Sequence, residues 1–567
     1  MNVAEAIAEI LRREGTEYLF CFPTTPIIDA CAEIGIRPIV VRQERVAGNM
    51  ADGYSRQTNG RRVGVVSVQQ GAGAENSFSG ITQAFTDSSA MLVIPGNWAN
   101  DYASLPPNFD TVKNFEHVSK WADRIPSRDG LIPRMRRAYT LLRNGRLRPV
   151  ILELPLDVAS QEISDLSYVP VARYRSEADP SEVKKAVDIL IGAKHPLIWA
   201  GQGCLYAQAS EELVDLAELV GARVTTSLMG KSAIDERDSL AIGAASFSKN
   251  ALVVDALAAA DVVFAIGASL ARDFTAAHIP ANDLDGNPKR FIHSNIEASD
   301  VNLYFASESV LIGDAKLVLR QMITYIRDNG IQKSEQQVRA VKENVAVQKR
   351  AWSDSFEELM SSDDEPINFY RVIGDFMKTF DPDETVVSHE PGVTRDVLVP
   401  HYIATKPRSY LGWGHSTQLG FSLGACMGAK LAMPEKMVVN FMGEAAIGMV
   451  MGDLETAVRE KIPIITIIYH NSLMNNYSRI IPKAAELFKS DELSGDYAAV
   501  AKALGAFSEC IEKPAEIIPA FHRAIEAVKR GKPVLLDIIC GNQPFISYGG
   551  EDLQSLKEMQ QKGGYGS

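Results

Sequence analysis

The chain has 567 residues, which is enough for three or four domains of ordinary size. Its hydrophobic content of 46% can fill several buried cores, and its formal net charge of −13 argues against an electrostatic surface for nucleic acid or membranes. Small metabolites are therefore the favoured ligands.

The cysteines and the N-terminus indicate where the protein works. Six cysteines occur without a CxxC pair or metal-ligand spacing, which predicts reduced, mostly buried thiols and a cytoplasmic protein. The first 15 residues lack the plan of a signal peptide, and no apolar run approaches the length of a membrane span. We therefore predict no membrane partner and no nucleic-acid partner.

Residues 1–175 alternate helical segments with short apolar runs, which predicts a doubly wound, mostly parallel sheet. The predicted strands are 18–22, 38–41, 63–68, 91–94 and 150–154. Pro23, Thr24 and Thr25 follow the first strand, and Glu44 follows the second. A lone Glu at such a place is ordinarily a helix N-terminal residue favoured by the helix dipole.

Residues 67–76 read SVQQGAGAEN, a strand that runs into a glycine loop and a helix. The loop contains Gln70, Gly71 and Asn76, but a GxG pattern alone is weak evidence for a bound nucleotide. The helix and strand over 137–154 are echoed near the C-terminus over 523–538. This echo predicts that the first and last domains share a common plan.

The middle of the chain, 180–335, predicts a second α/β domain with strands at 197–200, 223–226, 262–266 and 291–293. Gly201-Gln202-Gly203 after the first of these strands hints at a dinucleotide fold. The third glycine and the acidic partner of an NAD site are missing, so NAD is not predicted. Residues 336–364 predict a charged connecting helix.

The last domain, 365–567, contains the stretch around which the chain is organised. One apolar run, 438–442, stops at Gly443-Glu444-Ala445-Ala446, and a second, 462–469, stops at His470-Asn471. Parallel strands joined by a crossover end at the same sheet edge, so Glu444 and Asn471 should lie close together. Carboxylate and amide oxygens suit Mg²⁺, and small residues admit a phosphate. The alternative is a buried strand–helix–strand unit without a ligand.

Taken together, these segments resemble the thiamine-diphosphate enzymes of the acetolactate synthase and 2-keto acid decarboxylase superfamily. Their signature is Gly-Asp-Gly or Gly-Asp-Ala, a helix, and an Asn pair that closes the next strand. Segments around Glu44, Gly71, Leu419 and Glu444–Asn471 match in order, so the resemblance spans nearly the whole chain. It implies three α/β domains with doubly wound, mostly parallel sheets: a pyrimidine-binding domain (1–175), a central Rossmann-like domain (180–335) and, after the connecting helix, a diphosphate-binding domain (365–567).

The resemblance implies thiamine diphosphate and Mg²⁺ as cofactors. The implied metal ligands are Glu444, Asn471 and the backbone carbonyl of Leu473. Glu444 replaces the family's Asp. Because Mg²⁺ demands near-ideal octahedral geometry, the longer side chain could move the ion or weaken its binding. The implied cofactor-binding residues are Pro23, Gly71, Asn76, Gly392, Val393, Thr417, Leu419, Gly443, Ala445, Ala446 and Asn471.

The resemblance implies a specific role for each of three residues: Leu419, Thr417 and Glu44. Leu419 would wedge between the two cofactor rings, although it could equally be a core leucine, and the Thr417 carbonyl would accept a hydrogen bond from the aminopyrimidine. Glu44 is the implied catalytic residue, hydrogen-bonded to the pyrimidine ring. A dry pocket should raise the pKa of its carboxyl group, so that it can share a proton with the ring nitrogen.

Several polar residues are candidates to face the substrate. They are Thr24, Thr25, Gln70, His389, His415, His470, Asn475 and Asn476. Each of the three histidines could titrate near neutrality, and we expect at least one to reach the substrate. Thr24 and Thr25 stand where the synthases have two glycines, which favours a substrate with more hydroxyl or carboxylate groups than pyruvate, or an altered acceptor.

The implied activity is decarboxylation or carboligation of a 2-oxo acid. The alternatives are a C–C hydrolase or lyase acting on a hydroxylated or cyclic diketone, and a non-catalytic paralogue, against which the retention of Glu44 counts. The resemblance also implies a homodimer or homotetramer with active sites between subunits. Many acetolactate synthases carry FAD in the central domain; the loop 267–274 keeps an Arg but lacks the acidic pair, so FAD is allowed and not predicted.

Overall fold

The computed structural model describes residues 1–271, 278–474 and 477–542. Asn475, Asn476 and the arginine of the loop 267–274 lie outside the described residues. Three sheets organise the chain, and every strand pairing within them is parallel. The predicted fold class, three doubly wound parallel-sheet α/β domains, is confirmed.

The first sheet is built from seven strands. They are β1 (Tyr18–Cys21), β2 (Arg37–Val40), β3 (Gly64–Ser67), β4 (Met91–Val93), β5 (Gly96–Asn97), β6 (Trp121–Arg124) and β7 (Pro149–Pro155). The accompanying helices are α1 (Val3–Arg13), α2 (Ile27–Glu33), α3 (Glu44–Gln57), α4 (Ala72–Thr86), α5 (Thr111–Phe115), α6 (Leu131–Arg143) and α7 (Leu156–Ala159). The strand order is β2-β1-β3-β4-β7-β5, and β6 also pairs with β7.

The central sheet has six strands. They are β8 (Pro196–Ala200), β9 (Arg223–Thr226), β10 (Ala241–Ala244), β11 (Val262–Ile266), β12 (Arg290–Asn295) and β13 (Ser309–Ile312). Its helices are α8 (Pro180–Gly192), α9 (Gln202–Ala207), α10 (Ser210–Val220), α11 (Ala251–Ala259) and α12 (Ala315–Asn329). The order β10-β9-β8-β11-β12-β13 is that of a dinucleotide-binding sheet. The connecting helix α13 (Glu335–Met360) follows and is mostly exposed.

The last sheet also has six strands. They are β14 (Thr385–His389), β15 (Tyr410–Leu411), β16 (Met437–Gly443), β17 (Ile465–His470), β18 (Phe507–Ile511) and β19 (Val534–Ile539). Its helices are α14 (Phe369–Thr379), α15 (Val393–Leu398), α16 (Phe421–Ala432), α17 (Glu444–Val450), α18 (Leu454–Arg459), α19 (Tyr477–Ile480), α20 (Pro482–Phe488), α21 (Tyr497–Ala503) and α22 (Ile517–Lys529). The order is β15-β14-β16-β17-β19-β18.

The first and last sheets share one topology, as the sequence echo predicted. The path β2-β1-β3-β4-β7-β6 of the first sheet corresponds strand by strand to β15-β14-β16-β17-β19-β18 of the last. The echoed units, α6 with β7 and α22 with β19, occupy equivalent places. In both sheets the second strand lies on one side of the first strand and the third strand on the other, which creates a crevice at the carboxyl ends of the first and third strands.

The N-terminal and C-terminal domains pack against each other through α3 and α16, which make the largest contact between any two elements in the described part of the chain. Glycines allow the two backbones to approach closely. A Cβ atom added at Gly428 would lie 2.0 Å from the Met50 carbonyl oxygen, and one added at Gly53 would lie 2.1 Å from that of Ala425. Residues of both domains consequently belong to one hydrophobic core.

Two bulk expectations can be compared with the structure. All six cysteines are free, and five of them are buried, with Cys510 exposed, as predicted. No helix among the described residues is long and apolar enough to cross a bilayer.

Candidate active site

The first crevice lies between the carboxyl ends of β1 and β3 and collects the predicted residues of the N-terminal domain. Thr25 follows β1, and its hydroxyl lies 2.8 Å from that of Ser67 at the end of β3. A Cβ atom added at Gly96 would lie 3.2 Å from Thr25 Cγ2 and 3.6 Å from Gln70 Oε1. Gly71 has a φ of +59°, and no atom lies within 4 Å of the place its Cβ would take. The crevice is therefore polar and open at Gly71.

Glu44 is the first residue of α3 and is 6% exposed. Its Oε2 atom accepts a hydrogen bond of 3.3 Å from Asn76 Nδ2, and a Cβ at Gly73 would lie 3.4 Å from Oε1. The N-terminal ends of α3 and α4 thus face each other. Glu44 is thus brought against the start of α4, where Gly73 and Asn76 lie, and Asn76 is 32 residues further along the chain.

The second crevice lies between the carboxyl ends of β14 and β16, where Gly392 precedes α15 and Gly443 precedes α17. No atom lies within 4 Å of the Cβ position of either glycine. The first backbone N–H groups of both helices have no partner within the helix, so they are available to an anion. Val393 and Ala446 are buried beside this space, and Ala445 is half-buried. The crevice fits a diphosphate group.

Glu444 and Asn471 lie next to each other, as the crossover predicted. Glu444 Oε2 accepts hydrogen bonds from the backbone N–H groups of Asn471 (2.9 Å) and Ser472 (2.7 Å). The Asn471 side chain is oriented by a 2.7 Å hydrogen bond from its Nδ2 to Asn542 Oδ1. Because Glu is one methylene longer than Asp, the Glu444 carboxylate reaches the backbone at the end of β17.

The environment of the other Glu444 oxygen, Oε1, indicates whether a cation could bind here. It is buried and accepts no hydrogen bond; His470 Nε2 lies 3.3 Å away but is not aligned to donate. A buried carboxylate oxygen without a donor is the kind of atom that a cation satisfies. Among the described residues no group of three or more His, Cys, Asp or Glu side chains could hold a metal. Magnesium ligation by Glu444, Asn471 and the Leu473 carbonyl stays a prediction.

His470 lies between two acids. Its Nδ1 atom is 3.0 Å from Asp537 Oδ1, its Nε2 atom faces Glu444, and its ring packs edge-on against Tyr497. Burial raises the pKa of both Glu444 and Asp537 above their ordinary values. His470 therefore lies between two buried carboxylates at the edge of the second crevice.

The other two candidate histidines have different surroundings. His389 is fully buried against Tyr410 and Trp413, and burial lowers its pKa to about 3. The expectation that it could titrate near neutrality is therefore wrong. His415 is half-buried; its backbone N–H donates to Asp87, and the residue lines a cavity that residues of all three domains surround.

That cavity has a volume of about 190 Å³ and lies at the carboxyl ends of the central strands. Its lining includes Gln202, Leu228, Ala268, Asn295, Asp314 and His415. Sheets of this topology bind dinucleotides at this edge. It is also the region to which the resemblance assigns FAD in many acetolactate synthases.

Thr417 and Leu419 lie in the loop between β15 and α16, and both are half-buried. Leu419 packs against the shared core, and its carbonyl accepts a hydrogen bond from Arg45, the neighbour of Glu44. The next residue, Gly420, donates its N–H to Glu390 Oε2 at 3.0 Å. This loop is thus held from both domains.

Sequence reasoning missed three residues of the site region: Arg45, Glu390 and Asp453. Glu390 and Asp453 are acids with no measurable exposure, and each accepts backbone N–H groups from a distant segment. For Asp453, the available signal was an acid within the otherwise apolar stretch 445–454. It does not say which segment the acid will meet, since that depends on the packing of the two domains.

Comparisons with known proteins agree with this geometry. Models of three thiamine pyrophosphate enzyme domains match the chain: the N-terminal TPP binding domain over residues 1–118, the central domain over 183–322 and the C-terminal TPP binding domain over 392–538. The chain therefore belongs to the thiamine pyrophosphate enzymes. It is accordingly a thiamine-diphosphate-dependent enzyme of the acetolactate synthase-like group.

Curated relatives resemble the chain over nearly its whole length. A probable acetolactate synthase large subunit of Methanococcus aeolicus is 28% identical, with 95% of this chain and 92% of the relative covered. A glyoxylate carboligase of Escherichia coli O157:H7 is 27% identical (99% and 96% covered). A sulfoacetaldehyde acetyltransferase of Alcaligenes xylosoxydans xylosoxydans is 26% identical (95% and 93% covered). These relatives are named for different reactions. Sequence identity at this level therefore indicates the class of enzyme and does not indicate the substrate.

Proposed function

We propose that the chain decarboxylates a 2-oxo acid and joins the resulting fragment to an acceptor, using thiamine diphosphate and Mg²⁺. One observation supports the proposal: the two crevices lie at equivalent places of two equivalent sheets, and each gathers residues that the resemblance assigns to one half of the site. Glu44 and Gly71 belong to the first crevice, and Gly392, Gly443 and Glu444 belong to the second.

The residues of the chain have separate tasks in this proposal. Thiamine diphosphate, when bound, supplies a nucleophilic carbon and an electron sink for the bond beside the substrate carbonyl. Glu44, protected from water, holds a proton between its carboxyl group and the pyrimidine nitrogen. Glu444 Oε1, the Asn471 side chain and the Leu473 carbonyl hold Mg²⁺, and the backbone after Gly392 and Gly443 holds the diphosphate. Leu419 separates the two rings, and the Thr417 carbonyl orients the amino group.

Substrate selection is assigned to the polar rim of the first crevice. Thr24 is exposed beside Thr25, and Gln70 is half-buried opposite them. A hydroxylated or carboxylated substrate would find hydrogen-bond partners there. The same polarity favours a second candidate, hydrolysis or cleavage of a C–C bond in a hydroxylated or cyclic diketone.

Calorimetry with thiamine diphosphate and Mg²⁺ tests the cofactor assignment. We expect saturable binding that EDTA weakens in the wild-type protein and that is weaker still in Glu444→Ala. Glu44→Gln should bind the diphosphate end normally while losing about 10²- to 10⁴-fold in turnover. Absence of binding by the wild-type protein would rule the proposal out.

Product analysis then separates the two candidates. The protein is incubated with pyruvate alone, with pyruvate plus an aldehyde acceptor, and with a cyclic 1,2-diketone. Carbon dioxide release with a hydroxyketone product supports decarboxylation and carboligation. A carboxylic acid formed from the diketone, with no carbon dioxide, supports the hydrolase.

We also propose that the active site is shared by two protomers of a homodimer or homotetramer, with Glu44 supplied by one and the diphosphate site by the other. The family resemblance supports this assignment. The buried, free cysteines favour a reducing compartment, so we place the enzyme in the cytoplasm.

A further inference from the structure

Residues 42–45, which we call the Glu44 segment, are held by the C-terminal domain of the same protomer. The backbone N–H groups of Arg42 and Gln43 donate to the two oxygens of Asp453 at 2.8 and 3.2 Å. Gln43 Nε2 donates to the Met449 carbonyl at 3.1 Å, and Arg45 donates to the Leu419 carbonyl. Contacts from one domain therefore fix the backbone on both sides of Glu44.

We propose that Asp453 is a positioning residue for Glu44. Arg42 and Gln43 precede the first helical residue of α3, so no carbonyl within the helix accepts their N–H groups and the acceptor has to come from elsewhere. Asp453 supplies that acceptor from a position 411 residues away from Arg42. This inference rests on the proposed role of Glu44.

The Asp453 carboxylate is buried and is surrounded by hydrogen-bond donors. It has no measurable exposure, and a buried carboxylate is costly unless donors surround it. Here the donors are the two N–H groups of the Glu44 segment and the Thr456 hydroxyl at 2.9 Å. Burial raises the pKa of Asp453 to about 6, while these hydrogen bonds and the charge of Arg42 favour its ionised form. Two of its three donors therefore belong to the Glu44 segment.

The position of Asp453 in the chain adds a structural link. Helix α17 begins at Glu444 in the metal site and ends at Val450, and Asp453 follows in the next turn. Residues 444–453 thus begin with the proposed metal ligand, Glu444, and end with Asp453, which holds the backbone next to Glu44. Because a displacement of about 1 Å can cost about 10²-fold in rate, loss of this support should impair proton transfer.

The test measures proton transfer directly. Hydrogen–deuterium exchange at C2 of the bound thiamine ring is followed in wild type, Asp453→Asn, Glu44→Gln and the double variant. Asp453→Asn should slow exchange by about 10- to 100-fold in the wild-type background. It should slow exchange by no more than about twofold in the Glu44→Gln background, because a residue that acts through Glu44 has nothing left to position.

Amide exchange gives a readout without the cofactor. In cofactor-free Asp453→Asn, mass spectrometry should show faster exchange of a peptide spanning 42–45, whereas Asp375→Asn should leave that peptide unchanged. Asp375 is the matched control because it is a buried acid of the same domain that pairs with Arg371 on its own helix. If Asp453→Asn does not fold, Thr456→Val replaces it, with the same direction and a smaller effect.

The outcomes are distinguishable. C2 exchange within about twofold of wild type in Asp453→Asn, or an equal loss in both backgrounds, overturns the positioning role. Unchanged C2 exchange in Glu44→Gln overturns the proposed function of Glu44 instead.

Discussion

At the scale of single residues, Glu390 shows how a buried charge is tied to the geometry of the site. Its carboxylate has no exposure and accepts hydrogen bonds from Gly420 N, Ser422 N and the Ser422 hydroxyl at 3.0, 2.7 and 2.7 Å. It thus connects the loop that enters the diphosphate crevice with the turn that carries Leu419. Burial nevertheless raises the pKa of Glu390 to about 7, with the charge of Arg45 acting in the opposite direction.

This pKa leads to a prediction about stability. Because the folded-state pKa is higher than the ordinary value, the contribution of Glu390 is fully present at low pH and is lost as the pH rises through about 7. Glu390→Gln should therefore gain stability relative to wild type between pH 5.5 and pH 8.5, by about 2 kcal/mol at most, because only the part of the titration between pH 5.5 and about 7 falls in this range. Denaturant unfolding of the cofactor-free proteins at the two pH values measures this difference.

A control variant accompanies that measurement. Glu335→Gln removes an exposed acid at the start of α13 and should follow wild type at both pH values. The prediction would be contradicted if the free energies of unfolding of wild type and Glu390→Gln differed by the same amount at pH 5.5 and pH 8.5.

At the scale of elements, local pattern identified strands of four or more apolar or β-branched residues and missed strands of two residues. Strands β9 and β11 have the bounds that the sequence predicted, because continuous apolar or β-branched runs carry the signal. β17 begins at Ile465 and not at 462, since Pro463 lacks the N–H group that a central strand donates. β5 and β15 have two residues each, too few for any periodicity.

The contact between α3 and α16 gives a prediction at this scale. Gly428→Ala places a methyl group where the Met50 carbonyl oxygen lies, so the helices must separate, and we expect a loss of stability of about 1–3 kcal/mol or more. Because α3 begins at Glu44, turnover should also fall. Denaturant unfolding and steady-state kinetics measure the two effects.

The matched control for this helix contact is Gly192→Ala. Gly192 is the last residue of α8, and no atom lies within 4 Å of its Cβ position. Its substitution should leave stability within about 0.5 kcal/mol of wild type. Equal effects of the two substitutions would show that the close helix approach is unimportant.

At the scale of the whole molecule, the question is which copies of the chain complete one active site. Within one protomer, the Glu44 segment contacts the C-terminal end of α17 through Met449, whereas the metal site lies at the N-terminal end of the same helix. Seven helical residues span only about 10 Å, so this geometry is compatible with one protomer or two. The resemblance to the thiamine-diphosphate enzymes implies sites between subunits, and we therefore expect Glu44 to serve the diphosphate site of a second protomer.

Mixed dimers test this arrangement. Glu44→Gln and Glu444→Ala should each be nearly inactive alone. In a mixed dimer one site combines both lesions and the other combines none, so co-expression in equal amounts should restore about a quarter of the wild-type activity if assembly is random. Activity that stays at the level of the single variants would place both residues in a site built by one protomer.

The sequence by itself determined the three-domain α/β class, the relation between the first and last domains, and the pairing of Glu444 with Asn471. Periodicity, glycine loops and crossover geometry are local properties that one chain displays directly. The tertiary structure decided that His389 is neutral and buried, that Glu390 holds the Leu419 turn and that Asp453 supports the Glu44 segment. These depend on desolvation and on contacts between segments up to 411 residues apart, which arise only when the chain packs and which no local pattern contains.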